Sequence, residues 1–191
     1  MPANTLLIKN MVCNRCVMAV EDILRQESIP FEKVVISQVS LENELTDEQK
    51  DRLIKRLNKI GFELIDNRSS ALIEKIKQLV IRKARNEVSD KEKKLKLSHF
   101  ISSQLNYEYT YLSSLFSSVE GRTIEKYFID QRIEKVKELL IYGEINLSQI
   151  AFDMEYSSVA HLSNQFKKVT GLTPSYFKEI GMLKRKSLDK I

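Results

Sequence analysis

Apolar residues open the chain as an unbroken run, Leu6, Leu7 and Ile8, and then fall at helical spacing in Val17, Val20, Ile23 and Leu24. A short buried strand should therefore lead into an amphipathic helix. From Phe31 to Leu41 the β-branched residues Val34, Val35, Ile36 and Val39 dominate, which predicts one bent strand or a tight pair. Thr46 then stands as an N-cap before a helix over 47–60. Its hydroxyl can accept a free amide, acidic residues in the first turn suit the helix dipole, and Gly61 closes the helix. Phe62 to Ile65 makes a last strand.

This order, β, α, β or ββ, α, β, fits a small ferredoxin-like sandwich over 1–67. Beyond a boundary at Asp66 to Ser70, Leu72, Ile76, Leu79 and Val80 form an apolar stripe ringed by Lys75, Lys77, Arg82 and Lys83. A basic linker helix over 68–90 is expected. Its stripe needs a partner, which is either the chain's own domains or, through residues 70–85, a second copy of the chain; it is too short to establish a coiled coil.

The pattern then repeats at an offset of 50 residues. Leu112 lies over Leu162, Ser113 over Ser163, Phe116 over Phe166, Val119 over Val169, Gly121 over Gly171 and Thr123 over Thr173. A helix and a short turn precede each copy, Leu97 to Leu105 before the first and Leu147 to Met154 before the second. Asn106 tolerates left-handed backbone angles in the first turn, and Gly121 and Gly171 sit where each second helix must stop. The expected architecture is α+β: the small N-terminal domain, then an all-α domain over 91–191 with two helix-turn-helix units. Ile124 to Tyr142 joins the units as a bridging helix with two apolar flanks. Its 19 residues span roughly 28 Å, close to the ~34 Å between major-groove faces one turn apart. His99 falls on the apolar side of its helix and is read as core packing.

Charge sharpens this picture. The net charge of +5 is uneven: residues 1–67 hold 9 Lys and Arg against 11 Asp and Glu, residues 68–97 hold 10 against 4, and residues 98–191 hold 12 against 11. A basic middle segment beside a near-neutral domain suits DNA by counterion release, though a solvated helix face has the same composition. No apolar run approaches the roughly 20 residues of a membrane span, and Met1 to Met11 lacks the form of a signal peptide, so a cytoplasmic protein without a membrane partner is expected. Phosphate loops and Ser/His/Asp groupings are absent from the sequence, and no enzyme is expected.

The segment Ile150 to Lys178, IAFDMEYSSVAHLSNQFKKVTGLTPSYFK, makes the second unit the more diagnostic. With Ile150 and Ala151 opening, Tyr156 and Ser157 at the turn, and Phe166, Lys167, Gly171, Thr173 and Pro174 closing, it resembles the AraC family signature, and the resemblance covers about 92–180. It implies a DNA-binding regulator of seven helices whose two recognition helices lie in successive major grooves. The chain departs from the family at the second turn, where Glu155 replaces the usual Gly and must turn left-handed or shift the turn. It departs again on the recognition helices, where Ser114 and Asn164 replace frequent Arg. No Lys or Arg occurs from Tyr109 to Val119. Asn164, with Ser158, Val159, His161 and Ser163, is therefore expected to face base edges, and Lys167 and Lys168 to hold phosphates. In the first unit only Thr110, Ser113 and Ser114 are comparably placed, so its share should be smaller or depend on DNA shape.

The chain's two cysteines, Cys13 and Cys16, are too close together to staple a fold. They fall at a strand-to-helix junction, where free amides and the helix dipole favour thiolate. Two thiolates suit Cu(I) or another soft metal ion; a redox disulfide or merely structural thiols are the alternatives. Met11, Cys13 and Cys16 resemble the Met-x-Cys-x-x-Cys loop of the heavy-metal-associated domain of copper chaperones, and Gly61 with Phe62 resembles its later Gly-aromatic step. Asn10 replaces the usual Gly before Met11. The leading expectation is a transcription regulator, with double-stranded DNA and RNA polymerase as partners and a soft metal or redox signal read by the N-terminal domain. A metal chaperone or adaptor that uses the helical half for protein contacts is the alternative. A thioredoxin-like oxidoreductase lacks the surrounding pattern.

Overall fold

The computed structural model describes residues 4–142 and 145–184. The chain opens with β1 (Thr5–Lys9), α1 (Asn14–Gln26), β2 (Phe31–Val35), β3 (Gln38–Leu41), α2 (Asp47–Lys59) and β4 (Glu63–Leu64). It continues through α3 (Asn67–Ala84), α4 (Asp90–Lys93), α5 (Leu97–Leu105), α6 (Tyr109–Glu120), α7 (Ile124–Tyr142), α8 (Leu147–Asp153), α9 (Val159–Thr170) and α10 (Pro174–Lys184). Two compact units result, one from Met1–Gln78 with Ile101–Ile124 and the other from Leu79–Phe100 with Glu125–Ile191.

In the first unit the four strands form one antiparallel sheet in the order β2-β3-β1-β4. The β-branched stretch is a pair of strands, and Ser37 takes a φ of 65° to make the tight connection. Alternation along the strands sets Leu6, Ile8, Val34, Val39, Leu41 and Leu64 on one face, where they pack with Val20, Ile23 and Leu24 of α1 and Leu53 and Leu57 of α2. Thr46 begins α2 with a full capping box, its hydroxyl accepting from the Gln49 amide while the Gln49 side chain accepts from the Thr46 amide. Such a cap contributes about 1 kcal/mol. Glu27 at the end of α1 is nearly buried and accepts from both Arg52 and Arg56 of α2 at 3.0 Å, which fixes the two helices against each other. The last strand is shorter than the apolar run 62–65, because Phe62 and Ile65 turn into the core on either side of two paired residues.

Leu7 points to the other face of the sheet and is only 4% exposed. On that side β1 packs against α6, and the amide of Asn10 donates to the carbonyl of Ser118 at 3.0 Å. The run Leu6-Leu7-Ile8 is unbroken because β1 is covered on both faces. Lys77 of α3 adds a second tie to α6 through a 2.6 Å ion pair with Glu120.

Helix α3 stops at Ala84, short of the 68–90 expected, because Asn86 turns left-handed at φ 59° and Ser89 caps a new helix, α4. The stripe Leu72, Ile76, Leu79 and Val80 is buried within the chain together with Ile73. Packing on the chain's own domains is thus the outcome. The stripe is therefore covered without a second copy of the chain. His99 is exposed, contrary to its reading as a core residue. Leu97, Ile101 and Leu105 recur every four residues on one side of α5, Phe100 fills the core beside them, and His99 projects away.

The second unit packs Ile133, Val136 and Leu140 of α7 against Ile150 and Ala151 of α8, Leu162 and Phe166 of α9, and Met154 and Tyr156 of the turn between them. Phe177 of α10 meets Phe166 edge-on at 5.4 Å. Lys83, at the end of α3, is buried; its ammonium donates to the carbonyls of Glu92 and Lys93 and sits 5.0 Å over the Phe100 ring. Burial pushes its pKa down. No helix among the described residues is long and apolar enough to cross a membrane.

Candidate nucleic-acid interface and thiol pair

The second helix-turn-helix is α8, the turn 154–158 and α9. Tyr156 is buried and donates from its amide to Ala151 at 2.8 Å, which folds the chain back on α8. Glu155 takes the left-handed conformation at φ 55° and does not shift the turn. Arg132 of α7 supports it: the guanidinium donates to the Met154 carbonyl, lies 4.0 Å over the Tyr156 ring and attracts the Glu155 carboxylate. Burial lowers the Arg132 pKa and raises that of Tyr156, whose hydroxyl donates to Gln165 at 2.7 Å.

Ser158 begins α9, and its hydroxyl accepts the His161 amide at 3.0 Å. The His161 ring sits 3.0 Å from the Ser157 hydroxyl and edge-on to Tyr156. Along α9 the exposed residues are Ala160, His161, Asn164, Lys167 and Lys168, which at spacings of three and four form one continuous face. Ser163 is half-buried, and Val159 is half-buried against the unit's core. Gly171 ends the helix at φ 78°. The face carries an amide donor and acceptor at its centre and two cations at its C-terminal end.

The first helix-turn-helix is α5, the turn at Asn106 (φ 56°) and α6, which Gly121 ends at φ 65°. Leu112, Leu115, Phe116 and Val119 are buried; Thr110, Tyr111 and Ser114 are exposed and Ser113 is half-buried. The ring of Tyr107 in the turn stacks on Tyr111 at 5.7 Å, and Arg68 of α3 donates to the Tyr107 hydroxyl at 3.0 Å. Neither Arg68 nor Arg132 was visible as a site residue in the sequence, since each reaches its turn from a helix far along the chain. The two tyrosines, four residues apart, were the available signal.

Cys13 is the exposed N-cap residue of α1 and Cys16 lies half-buried one turn on, with the two sulfurs 3.6 Å apart. The backbone amide hydrogen bonding around Val12 and Cys13 pulls the Cys16 pKa below the ordinary thiol value. Among the described residues no group of three or more His, Cys, Asp or Glu is placed to hold a metal. Met11 is buried, whereas Val12 and Met18 on the rim of the loop are 72% and 63% exposed. Asn10, left-handed at φ 69°, donates from its side chain to the Gly61 carbonyl at 3.1 Å and from its amide to Ser118 of α6. The thiol loop is thus one residue removed from a backbone contact with the first helix-turn-helix.

Residues 101–180 match the family described as "Helix-turn-helix domain". Over 79 residues, 41% of this chain, the sequence is 28% identical to an uncharacterized HTH-type transcriptional regulator, YtdP, of Bacillus subtilis (strain 168). The match spans 10% of that protein's length. Among solved structures, a transcriptional regulator from Chromobacterium violaceum, described as an AraC-type DNA-binding domain-containing protein, aligns with a TM-score of 0.52 at 18% identity, over 63% of this chain and 100% of the other. A DNA-binding transcriptional dual regulator from Escherichia coli K-12 aligns with a TM-score of 0.48 at 17% identity, over 57% and 94% of the two chains. The matched segment takes in the second helix-turn-helix unit whole and the first from Ile101 onward, and a glycine ends α6 and α9 at the same point of each repeat. Residues 101–180 of this chain thus match the helix-turn-helix family model, and the fold is similar to that of the AraC-type structure from Chromobacterium violaceum.

Proposed function

We propose that the chain is a sequence-specific DNA-binding transcription regulator. The observation that carries this reading is the exposed face of α9, where Asn164 lies between His161 and the pair Lys167 and Lys168. An amide can pair adenine in the major groove, and the lysines suit the flanking phosphates. RNA polymerase remains the proposed protein partner. The test is binding of the full chain to duplexes from the upstream regions of its own genome, by gel shift across a range of salt. Preference for particular regions, weakening steeply with salt, supports the reading; failure to prefer any region removes it.

The N-terminal domain we read as ferredoxin-like and of the heavy-metal-associated type, a sensor of soft metal or redox state. The sheet order β2-β3-β1-β4 with two helices on one face supports the fold, and the two sulfurs at 3.6 Å are close enough for both to bind one Cu(I). A bound soft ion would supply two strong sulfur bonds that tie the loop to the first turn of α1. Asn10 joins that loop to α6, which supports an effect on DNA binding. The exposed Cys13 thiol beside exposed Val12 and Met18 favours the second reading, a metal chaperone or adaptor that hands its ion to another protein. Metal loading that leaves DNA affinity unchanged while the ion passes to an acceptor would select it.

A further inference from the structure

The recognition helix of the first unit, α6, carries no Lys or Arg, yet a guanidinium stands at its N-terminal end. Arg68, exposed in the first turn of α3, donates to the hydroxyl of Tyr107, and the Tyr107 ring stacks on Tyr111 of α6. Tyr111 is 48% exposed and lies next to Thr110 and one turn before Ser114, the exposed polar residues of that helix. The nearest acid along the chain, Asp66, attracts the guanidinium through its charge, while its oxygens accept from the Ser69 amide at 2.8 Å and from the Ser69 hydroxyl at 3.0 Å. All of these residues belong to the same compact unit.

We infer that Arg68 is a phosphate-contacting residue of the first helix-turn-helix, lent by α3 to a reading helix that has no cation of its own. The inference rests on the DNA-binding reading above. A guanidinium offers five donors in a planar fork and stays charged at any working pH, so one bond to Tyr107 orients it and leaves donors for phosphate oxygens. Contacts to phosphate set the register of a recognition helix, and the N-terminal residues of such a helix face the bases. Tyr107 and Tyr111 hold the guanidinium beside that end without hiding it.

Phosphate contacts are independent of sequence, so the probe is a labelled duplex of mixed sequence, titrated with the full chain from about 50 to 200 mM salt. Arg68→Ala should weaken binding several-fold and reduce the slope of log K against log salt by about 1, the loss of one neutralised phosphate. Arg68→Lys should keep the slope. Tyr107→Phe, which preserves the stack and removes the anchor, should weaken binding less and also keep the slope. If wild type binds the duplex and Arg68→Ala retains its full salt slope, Arg68 only braces α3 against the turn and the inference is overturned. A lowered melting temperature shared by Arg68→Ala and Tyr107→Phe, without a change of slope, would overturn it equally. If the wild-type chain binds no duplex at the lowest salt, it is the DNA-binding reading that fails, and Arg68 falls with it.

Discussion

Glu155 is held in a backbone conformation that costs an L residue about 1 kcal/mol or more, and Arg132 braces the residues on either side of it, Met154 and Tyr156. Glu155→Gly should therefore raise the stability of the second unit by about 1 kcal/mol, read as a higher urea midpoint with an unchanged slope. Arg132→Ala removes a charged hydrogen bond from the turn and should cost about 2 kcal/mol, whereas Arg132→Lys restores the charge without the planar stack and should recover only part. On the reading face, Asn164→Ala should reduce discrimination between cognate and mismatched duplexes by about 1 to 3 kcal/mol, while Lys167→Ala weakens all duplexes alike. Equal losses for Asn164→Ala and Ser114→Ala across a panel of mutated sites would reverse the ranking of the two helices. Local chemistry of this kind was legible in the sequence: Asn106, Gly121 and Gly171 take the positive φ angles their positions demand. The unusual Glu155 was legible too, but not its support, because nothing in the spacing of α7 singles out Arg132.

Among the elements, α6 belongs to two structures at once. It is the second helix of a helix-turn-helix and also the cover for one face of β1, tied by Asn10 to Ser118 and by Lys77 to Glu120. The repeat alone suggests that residues 90–191 form a self-sufficient domain. Cutting there removes β1 and α3, and with them the partners of Ser118 and Glu120. In such a fragment the amides of α6 should exchange hydrogen faster than in the full chain, while those of α9, whose core partners are all retained, keep their protection. Equal protection of α6 in both would show that β1 adds nothing to it. The run Leu6-Leu7-Ile8 announced a strand buried on both faces, but periodicity names no partner, and the partner comes more than a hundred residues later. For the same reason the four strands and their helices were largely readable while the placing of α6 was not.

For the whole molecule, the proposed sensing role makes a quantitative demand. Cys13 and Cys16 should together bind about one Cu(I) per chain under reducing conditions, and the double substitution to Ser should abolish binding while leaving the DNA affinity of the metal-free protein nearly unchanged. If the ion alters DNA affinity, operator DNA must alter Cu(I) affinity by the same factor. Titration of Cu(I) against a competing chelator, with and without duplex, measures both. Binding no tighter in the wild type than in the Ser variant would end the metal reading and leave the thiols as a redox pair or structural residues.

The bond from Asn10 to Ser118 bears on how such a protein could be rebuilt or inherited. A sensor that merely hangs from its reader by a linker can be exchanged for another without touching the reader, as beads are restrung. Here the residue that opens the cysteine loop, Asn10, and the second helix of the first helix-turn-helix share a hydrogen bond inside one compact unit. A chimera spliced within α3 would carry the cysteine loop and β1 together but part them from α6, the helix that covers β1. The portable piece is the first unit as a whole, residues 1–78 with 101–124, and a foreign sensor grafted here must bring with it an edge to fit α6.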